Sequence, residues 1–242
     1  MDTQNSKPYA DIEAPQVCRA CEARHGGVCG SLTAAQLVEL NKHSTRRKVE
    51  AGSEVIGQGE QVSSYSNILG GVVKLSKMMA DGRQQIVGLQ FAPDFMGRPF
   101  IEESSLTAEA ATDAEICAFP RALIDRMVTE VPDFERKLHS QSLKELDEAR
   151  DWMLTLGRKT AQEKVASFLY LIATHIDPMK ATSTTFDLPL SRADIADFLG
   201  LTIETVSRQM TKLRKEGIIV IENNRHVIVP DPRRLRNAAG ID

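Results

Sequence analysis

The chain has 242 residues, with 30 Lys or Arg against 33 Asp or Glu for a formal charge of −3, and 42% of it is hydrophobic. These ordinary globular proportions suit one large or two modest domains and exclude both a disordered chain and one whose overall charge marks it for polyanions. No stretch approaches the roughly 18 apolar residues of a membrane span, and the polar start MDTQNSKPYADIEAPQ lacks the apolar core of an export signal.

A cytoplasmic, reducing setting is therefore expected, in which the four cysteines are thiols, metal ligands or redox groups rather than disulfides. Three of them fall within residues 1–30, an arm of Pro, Gly and Cys with little periodicity, and a short amphipathic segment from Ser31 to Asn41 follows. From about Lys48 to Phe119 the pattern changes to short apolar runs such as Ile68-Leu69, Val72 to Leu75 and Ile86 to Leu89. These are punctuated by Gly52, Gly57, Gly59, Gly70-Gly71 and Asp81-Gly82, which predicts a small β-barrel or sandwich. Pro120 opens a helical pattern and Pro132 starts a second, longer helix, since proline suits a first turn.

On that helix, which is expected to run to about Leu156, the residues Leu146, Ala149, Met153 and Leu156 recur at steps of 3, 4 and 3. Charged Glu145, Asp147, Glu148, Arg150 and Asp151 flank the stripe. It is narrow, as in a two-helix seam, and predicts a homodimer; packing on the chain's own barrel is the plainer alternative. A boundary near Gly157 is followed by helix from Ala161 to Ile176 and a loop from Pro178 to Thr185. The domains are thus expected at 1–30 (arm), 31–120 (barrel), 121–157 (dimerisation helix region) and 158–242 (C-terminal domain).

Within SRADIADFLGLTIETVSRQMTKLRKEGII two helices start, at Ser191 with Asp194 three residues on and at Thr202, with Gly200 between them. Ile195, Ala196 and Leu199 should face inward on the first helix, and Ile203, Val206, Met210 and Leu213 on the second, a helix-turn-helix. The runs Ile218 to Ile221 and His226 to Val229, joined through Asn223-Asn224, add a hairpin and make the module a winged helix-turn-helix. Glu204, Ser207, Arg208 and Thr211 share the outward face of the second helix near its N-terminus, the end that enters a major groove. There Arg pairs with guanine O6 and N7, and Glu accepts from cytosine N4. Residues 201–236 hold eight Lys or Arg against four Asp or Glu, a local +4, in which Arg208, Lys212, Arg214 and Lys215 come without an intervening acid and suit phosphate contacts, and Thr202 at the helix start is a further DNA-binding candidate. A solvated helix face is the alternative for each of these residues taken singly.

Cys18-x2-Cys21-x7-Cys29 with Cys117 supplies four thiolates, a set that both tetrahedral zinc and an iron–sulfur cluster accept. Arg19, Arg24 and His25 beside them are expected to lower the thiol pKa values, and His25 is a further candidate ligand. No convergent acid/base set points to an enzyme.

These residues together resemble the CRP/FNR superfamily of bacterial transcription regulators, and within it the FNR-type oxygen sensors, over nearly the whole chain. The likeness rests on the four cysteines, the barrel from about Lys48, the helix ending LTLGRKTAQEK, and LGLTIETVSRQM. It implies an α+β fold: an N-terminal β-roll of the cyclic-nucleotide-binding kind, a long dimerisation helix and the C-terminal winged module. It also implies an oxygen-labile [4Fe-4S] cluster on Cys18, Cys21, Cys29 and Cys117, and reading of a TTGAT-N4-ATCAA-like palindrome in double-stranded DNA by Glu204, Ser207 and Arg208. RNA polymerase is implied as a partner near Gly82-Arg83, with no membrane association.

The cyclic-AMP receptor branch has Gly-Glu and Arg-Ser pairs where this chain has Phe95 to Phe100 and Leu106 to Ala108, so no cyclic nucleotide is expected. Ile203 replaces that branch's Arg before the recognition-helix Glu. Ala149 stands where some FNR-type members carry an acid that weakens the apo dimer. A zinc-stabilised or thiol-switched regulator keeps the DNA module and changes only the sensor.

Overall fold

The computed structural model describes residues 14–176 and 184–241. The first 13 residues of the expected arm and most of the loop expected from Pro178 lie outside the described residues. By internal contacts the chain forms two compact units, one of Met1–Met78 with Leu89–Glu145, the other of Met79–Gly88 with Leu146–Asp242.

The first unit begins with an arm that is not the aperiodic segment its composition predicts. Two single turns, α1 (Gln16–Arg19) and α2 (Glu22–His25), lead into a 3₁₀ turn at Val28–Ser31 and then α3 (Ala34–Lys42). Glycines permit this winding: a Cβ on Gly30 would sit 2.6 Å from the Arg24 carbonyl oxygen, and one on Gly27 2.7 Å from that of Pro93. Thr33 caps α3 through a reciprocal pair with Gln36.

The roll follows as β1 (Thr45–Val49), β2 (Glu54–Ile56), β3 (Ser64–Gly70), β4 (Val72–Met78), β5 (Gln84–Phe91), β6 (Phe95–Met96), β7 (Thr107–Ala110) and β8 (Ala114–Pro120). They make two four-stranded sheets, ordered β1-β8-β3-β6 and β2-β7-β4-β5. Strand alternation gives the first sheet two apolar faces. Ile68 packs with Val73, Met96 and Ala108, and Ile116 with Val49, Ala110 and Ala114, in cores shared with the second sheet. The intervening Tyr65 and Phe119 face the other way. They join a core with Cys29, Leu37 and Leu40 of the arm and α3, and with Leu123, Ile124, Met127, Phe134 and Leu138 beyond the roll. The arm is thereby seated on the roll by burial of its own apolar residues.

After β8, α4 (Arg121–Glu130) and the 27-residue α5 (Pro132–Arg158) follow, α5 with its proline in the first turn as expected. At 1.5 Å per residue α5 is about 40 Å long. Its start, Phe134 and Leu138, is buried in the arm core.

In the second unit α6 (Ala161–Ile176) is central, with Val165, Phe168, Leu169 and Ile172 wholly buried. β9 (Thr184–Asp187), α7 (Arg192–Leu199), α8 (Ile203–Lys215), β10 (Val220–Glu222), β11 (His226–Val229) and α9 (Pro232–Ala238) complete it. The wing is a three-stranded sheet, β10-β11-β9, because β9 pairs with β11 of the expected hairpin across 39 or more residues of chain. Asn223 and Asn224 both take positive φ (49° and 61°) in the three-residue loop 223–225, where the Arg225 N–H donates back to the Glu222 carbonyl at 3.2 Å. Neither β9 nor α9 has a local pattern strong enough to announce it. Among the described residues no helix is long and apolar enough to cross a membrane.

Candidate thiol site and nucleic-acid interface

The register of one sheet builds half of the cysteine site. Cys117 lies in the middle of β8, opposite Arg46 on β1 and Asn67 on β3, and direct antiparallel partners project from the same face. The arm supplies the other half. Cys18, Cys21, Cys29 and Cys117 line one cavity together with Arg24, Ser44, Arg46, Asn67 and the apolar Leu37, Leu40 and Phe119. All four thiols are free. Arg46 also donates to the Val17 carbonyl at 2.7 Å, so β1 holds the arm's first turn directly.

The electrostatics run opposite to the expectation from Arg19, Arg24 and His25. Burial pushes the Cys29 thiol up to about 12, against a lowering hydrogen bond from Asn67, and Cys117, Cys21 and Cys18 push it further the same way. Burial likewise raises Cys117, outweighing Ser44 and Arg46, and raises Cys18 with the help of Cys21, outweighing Arg46 and Arg24. Desolvation wins because the cavity walls are largely apolar. His25 bonds the Arg19 carbonyl at 3.0 Å and is not among the lining residues.

Among the described residues, no three His, Cys, Asp or Glu side chains form a ready-made group for a single metal ion; the thiols face one another around the cavity. The chemistry of this donor set fits a cationic, thiolate-binding group. Cys29 is buried and the other three thiols are half-buried, and thiols crowded around one largely apolar cavity are held as thiolates only if positive charge is placed among them. The buried Oδ1 of Asn67, without a partner among the described residues, marks the cavity as polar at that point.

The second candidate surface is the helix-turn-helix. Ser191 and Asp194 cap α7 reciprocally, Gly200 takes the left-handed conformation (φ 60°) that turns the chain, and Thr202 caps α8 by accepting from the Thr205 N–H. Ile195, Ala196, Leu199, Val206, Met210 and Leu213 are buried as the periodicity predicts. Ile203 is not: it is 48% exposed, because the first residue of α8 precedes the turn that packs on α7.

Glu204, Ser207, Arg208 and Lys212 are exposed on one side of α8 and Thr211 is half-buried. The Glu204 carboxyl is held below the usual range by its own backbone N–H and then by Thr202, so it is an anionic acceptor. Arg208 bonds the Thr205 hydroxyl at 3.4 Å, a weak tether that leaves its fork available, and Thr211 donates back to the Ser207 carbonyl. On α5, Leu146 and Met153 are 45% and 72% exposed, Ala149 is exposed and Leu156 half-buried; Leu143 and Leu154 extend the exposed apolar surface.

Residues 163–238 match the Crp-like helix-turn-helix domain family and residues 46–130 the cyclic nucleotide-binding domain family. The chain is 68% identical to a probable transcriptional activator of Rhizobium leguminosarum bv. viciae, over 96% of each chain. It is 42% identical to the transcriptional activator protein FnrL of Cereibacter sphaeroides, covering 93% of this chain and 92% of that one. The solved structure of FixK2 from Bradyrhizobium japonicum superposes with a TM-score of 0.73 at 34% identity, covering 81% of this chain and 96% of that one.

Proposed function

The chain belongs to the CRP/FNR superfamily of transcription regulators, and from that premise we propose that it is an oxygen-responsive, DNA-binding activator whose sensor is a [4Fe-4S] cluster on Cys18, Cys21, Cys29 and Cys117. The observation that carries the sensor reading is the convergence of these four thiols, three from the arm and one from β8, on one cavity. Bound there, the cluster supplies the positive charge that four converging thiolates require and a redox centre that oxygen attacks. The relatives from Rhizobium leguminosarum bv. viciae and Cereibacter sphaeroides are named as transcriptional activators, and the reading is of a regulator, not an enzyme, acting on DNA in the cytoplasm.

The protein's part is mechanical. The four cysteines, if they held the cluster together, would tie the arm to β8, and the arm core continues through Leu123, Ile124 and Met127 to Phe134 and Leu138 at the start of α5. Release of the arm loosens that start. The same helix carries Leu146, Ala149, Met153 and Leu156, the residues assigned to the homodimer seam. A two-fold dimer sets two α8 helices one DNA turn apart on a palindrome, of TTGAT-N4-ATCAA type by family resemblance, so a weakened seam lowers site affinity because one half-site holds only part of the contacts.

Glu204, Ser207 and Arg208 are assigned to base edges, Thr202, Thr211 and Lys212 to the adjoining backbone. The turn at Asp81–Arg83, closed by the Met79 N–H to Arg83 carbonyl bond, is assigned to RNA polymerase. No cyclic nucleotide is part of this reading: Arg98 stands where the receptor branch has its Glu, and its guanidinium bonds Ser105. The functional division follows the boundaries 1–30, 31–120, 121–157 and 158–242.

The test is iron, acid-labile sulfide and zinc per chain after anaerobic purification, with operator binding measured before and after air. Four irons with four sulfides and air-sensitive binding are expected. Zinc, or air-indifferent binding without metal, would replace the sensor and leave the DNA module.

A further inference from the structure

One polar side chain in the thiol cavity is wholly buried. Asn67 sits mid-strand on β3, 1% exposed, with Cys117 opposite it on β8 and Phe95 opposite it on β6. Its Nδ2 donates to the Cys29 Sγ at 3.1 Å. Its Oδ1 is buried without a partner among the described residues. An amide satisfied at one end only is a costly thing to bury, and an aliphatic side chain opposite Phe95, lining the cavity with Phe119, would carry no such cost. What the amide supplies and an aliphatic group cannot is the N–H···S bond. That bond joins the two halves of the site, since Asn67 belongs to the roll and Cys29 to the arm. Ser44, Arg46 and Arg24 also reach the thiols, but Arg46 is exposed and the other two are half-buried.

We propose that Asn67 is a positioning residue of the cysteine site: it holds the Cys29 sulfur in place on the roll and, by donating to it, raises the reduction potential of the group those cysteines bind. The inference rests on the cluster reading above. Hydrogen bonds to ligating sulfur withdraw negative charge from it, favour the electron-richer state and raise the potential, and partners outside the ligand set also fix ligand orientation. Because the donor is buried, water does not substitute for it once it is removed.

The experiment compares the full-length wild-type chain with Asn67→Leu, purified anaerobically. Folding is followed by circular dichroism, loading by iron and sulfide content, and potential by a mediated one-electron titration with dithionite, read by absorbance and electron paramagnetic resonance. Poised at the wild-type midpoint, the loaded variant is expected to show an oxidised-to-reduced ratio up to about tenfold higher, because only the part of the bond's strength that differs between the two redox states counts. Loss of iron from a folded variant would equally support the positioning role. A folded Asn67→Leu with wild-type loading and wild-type midpoint would overturn it. Asn67→Ala, which adds no bulk, carries the same expectations should the leucine chain fail to fold. Wild-type protein without iron and sulfide would instead overturn the cluster reading beneath it, so the two failures are distinct.

Discussion

The seam on α5 makes a quantitative demand. Met153 is the most exposed large apolar side chain on the helix, at 72%. Full burial of a methionine is worth about 1.5–3 kcal/mol, so about 1–2 kcal/mol remains to be gained when a partner covers it. In a two-fold dimer the residue counts twice, and Met153→Ala should cost the dimer about 2–4 kcal/mol, or roughly 30- to 1,000-fold in its dissociation constant. The folded chain itself should hardly notice, since little of Met153 is buried in it. Sedimentation equilibrium over a concentration series reads the first quantity, and thermal unfolding of dilute, monomeric protein reads the second. Met78, 56% exposed at the end of β4, is the control: Met78→Ala should leave dimerisation unchanged. A Met153→Ala chain that dimerises like wild type, or an equal loss from Met78→Ala, would refute the seam assignment.

Three further outcomes are expected. Gly30→Ala places a Cβ 2.6 Å from the Arg24 carbonyl oxygen, which is backbone and cannot swing aside. The arm should shift at a cost of about 1–3 kcal/mol, read as faster alkylation of the buried Cys29, and an unchanged rate would contradict the tight winding.

Tyr65 keeps its proton up to about pH 12, first because it is buried and then because Asp125 lies against it, its hydroxyl donating to that carboxylate at 3.1 Å. A phenol whose folded pKa is raised contributes stability that is whole below its unfolded value near 10 and is lost as pH climbs through about 12. Tyr65→Phe should therefore lack that alkaline decline relative to wild type in a pH series of urea midpoints, and an identical decline would count against it. Arg208→Ala should weaken operator binding by about 1–3 kcal/mol and relax discrimination at one base pair, measured by fluorescence anisotropy on single-base variants; a loss uniform across all sequences would make Arg208 a phosphate contact.

The winged helix-turn-helix was legible in the sequence because its signals are local. Ser191 with Asp194, Gly200, Thr202 and the Asn223–Asn224 turn each act within a few residues, and burial at 3.6-residue spacing follows from the helix itself. The long helix starting at Pro132 was legible for the same reason. The cysteine spacing also named the four candidate ligands without help from the fold.

Tertiary structure decided the rest. That Cys117 meets the arm, and that Arg46 and Asn67 flank it, depends on a strand register linking residues 50 and 71 apart, which no local pattern specifies. Asn67 announced itself only as a polar residue before the apolar Ile68-Leu69, and its face became known only once β8 was paired. The direction of the thiol pKa shifts was likewise unreadable from neighbouring basic residues, because burial outweighs them and burial is created by packing of the arm core. β9 joined the wing through pairing across a loop and α7–α8 rather than through propensity. Sequence alone determined what depends on neighbours in the chain, the helices, caps, turns and candidate donors; long-range pairing and desolvation, which exist only in the folded protein, decided which of those donors share one site.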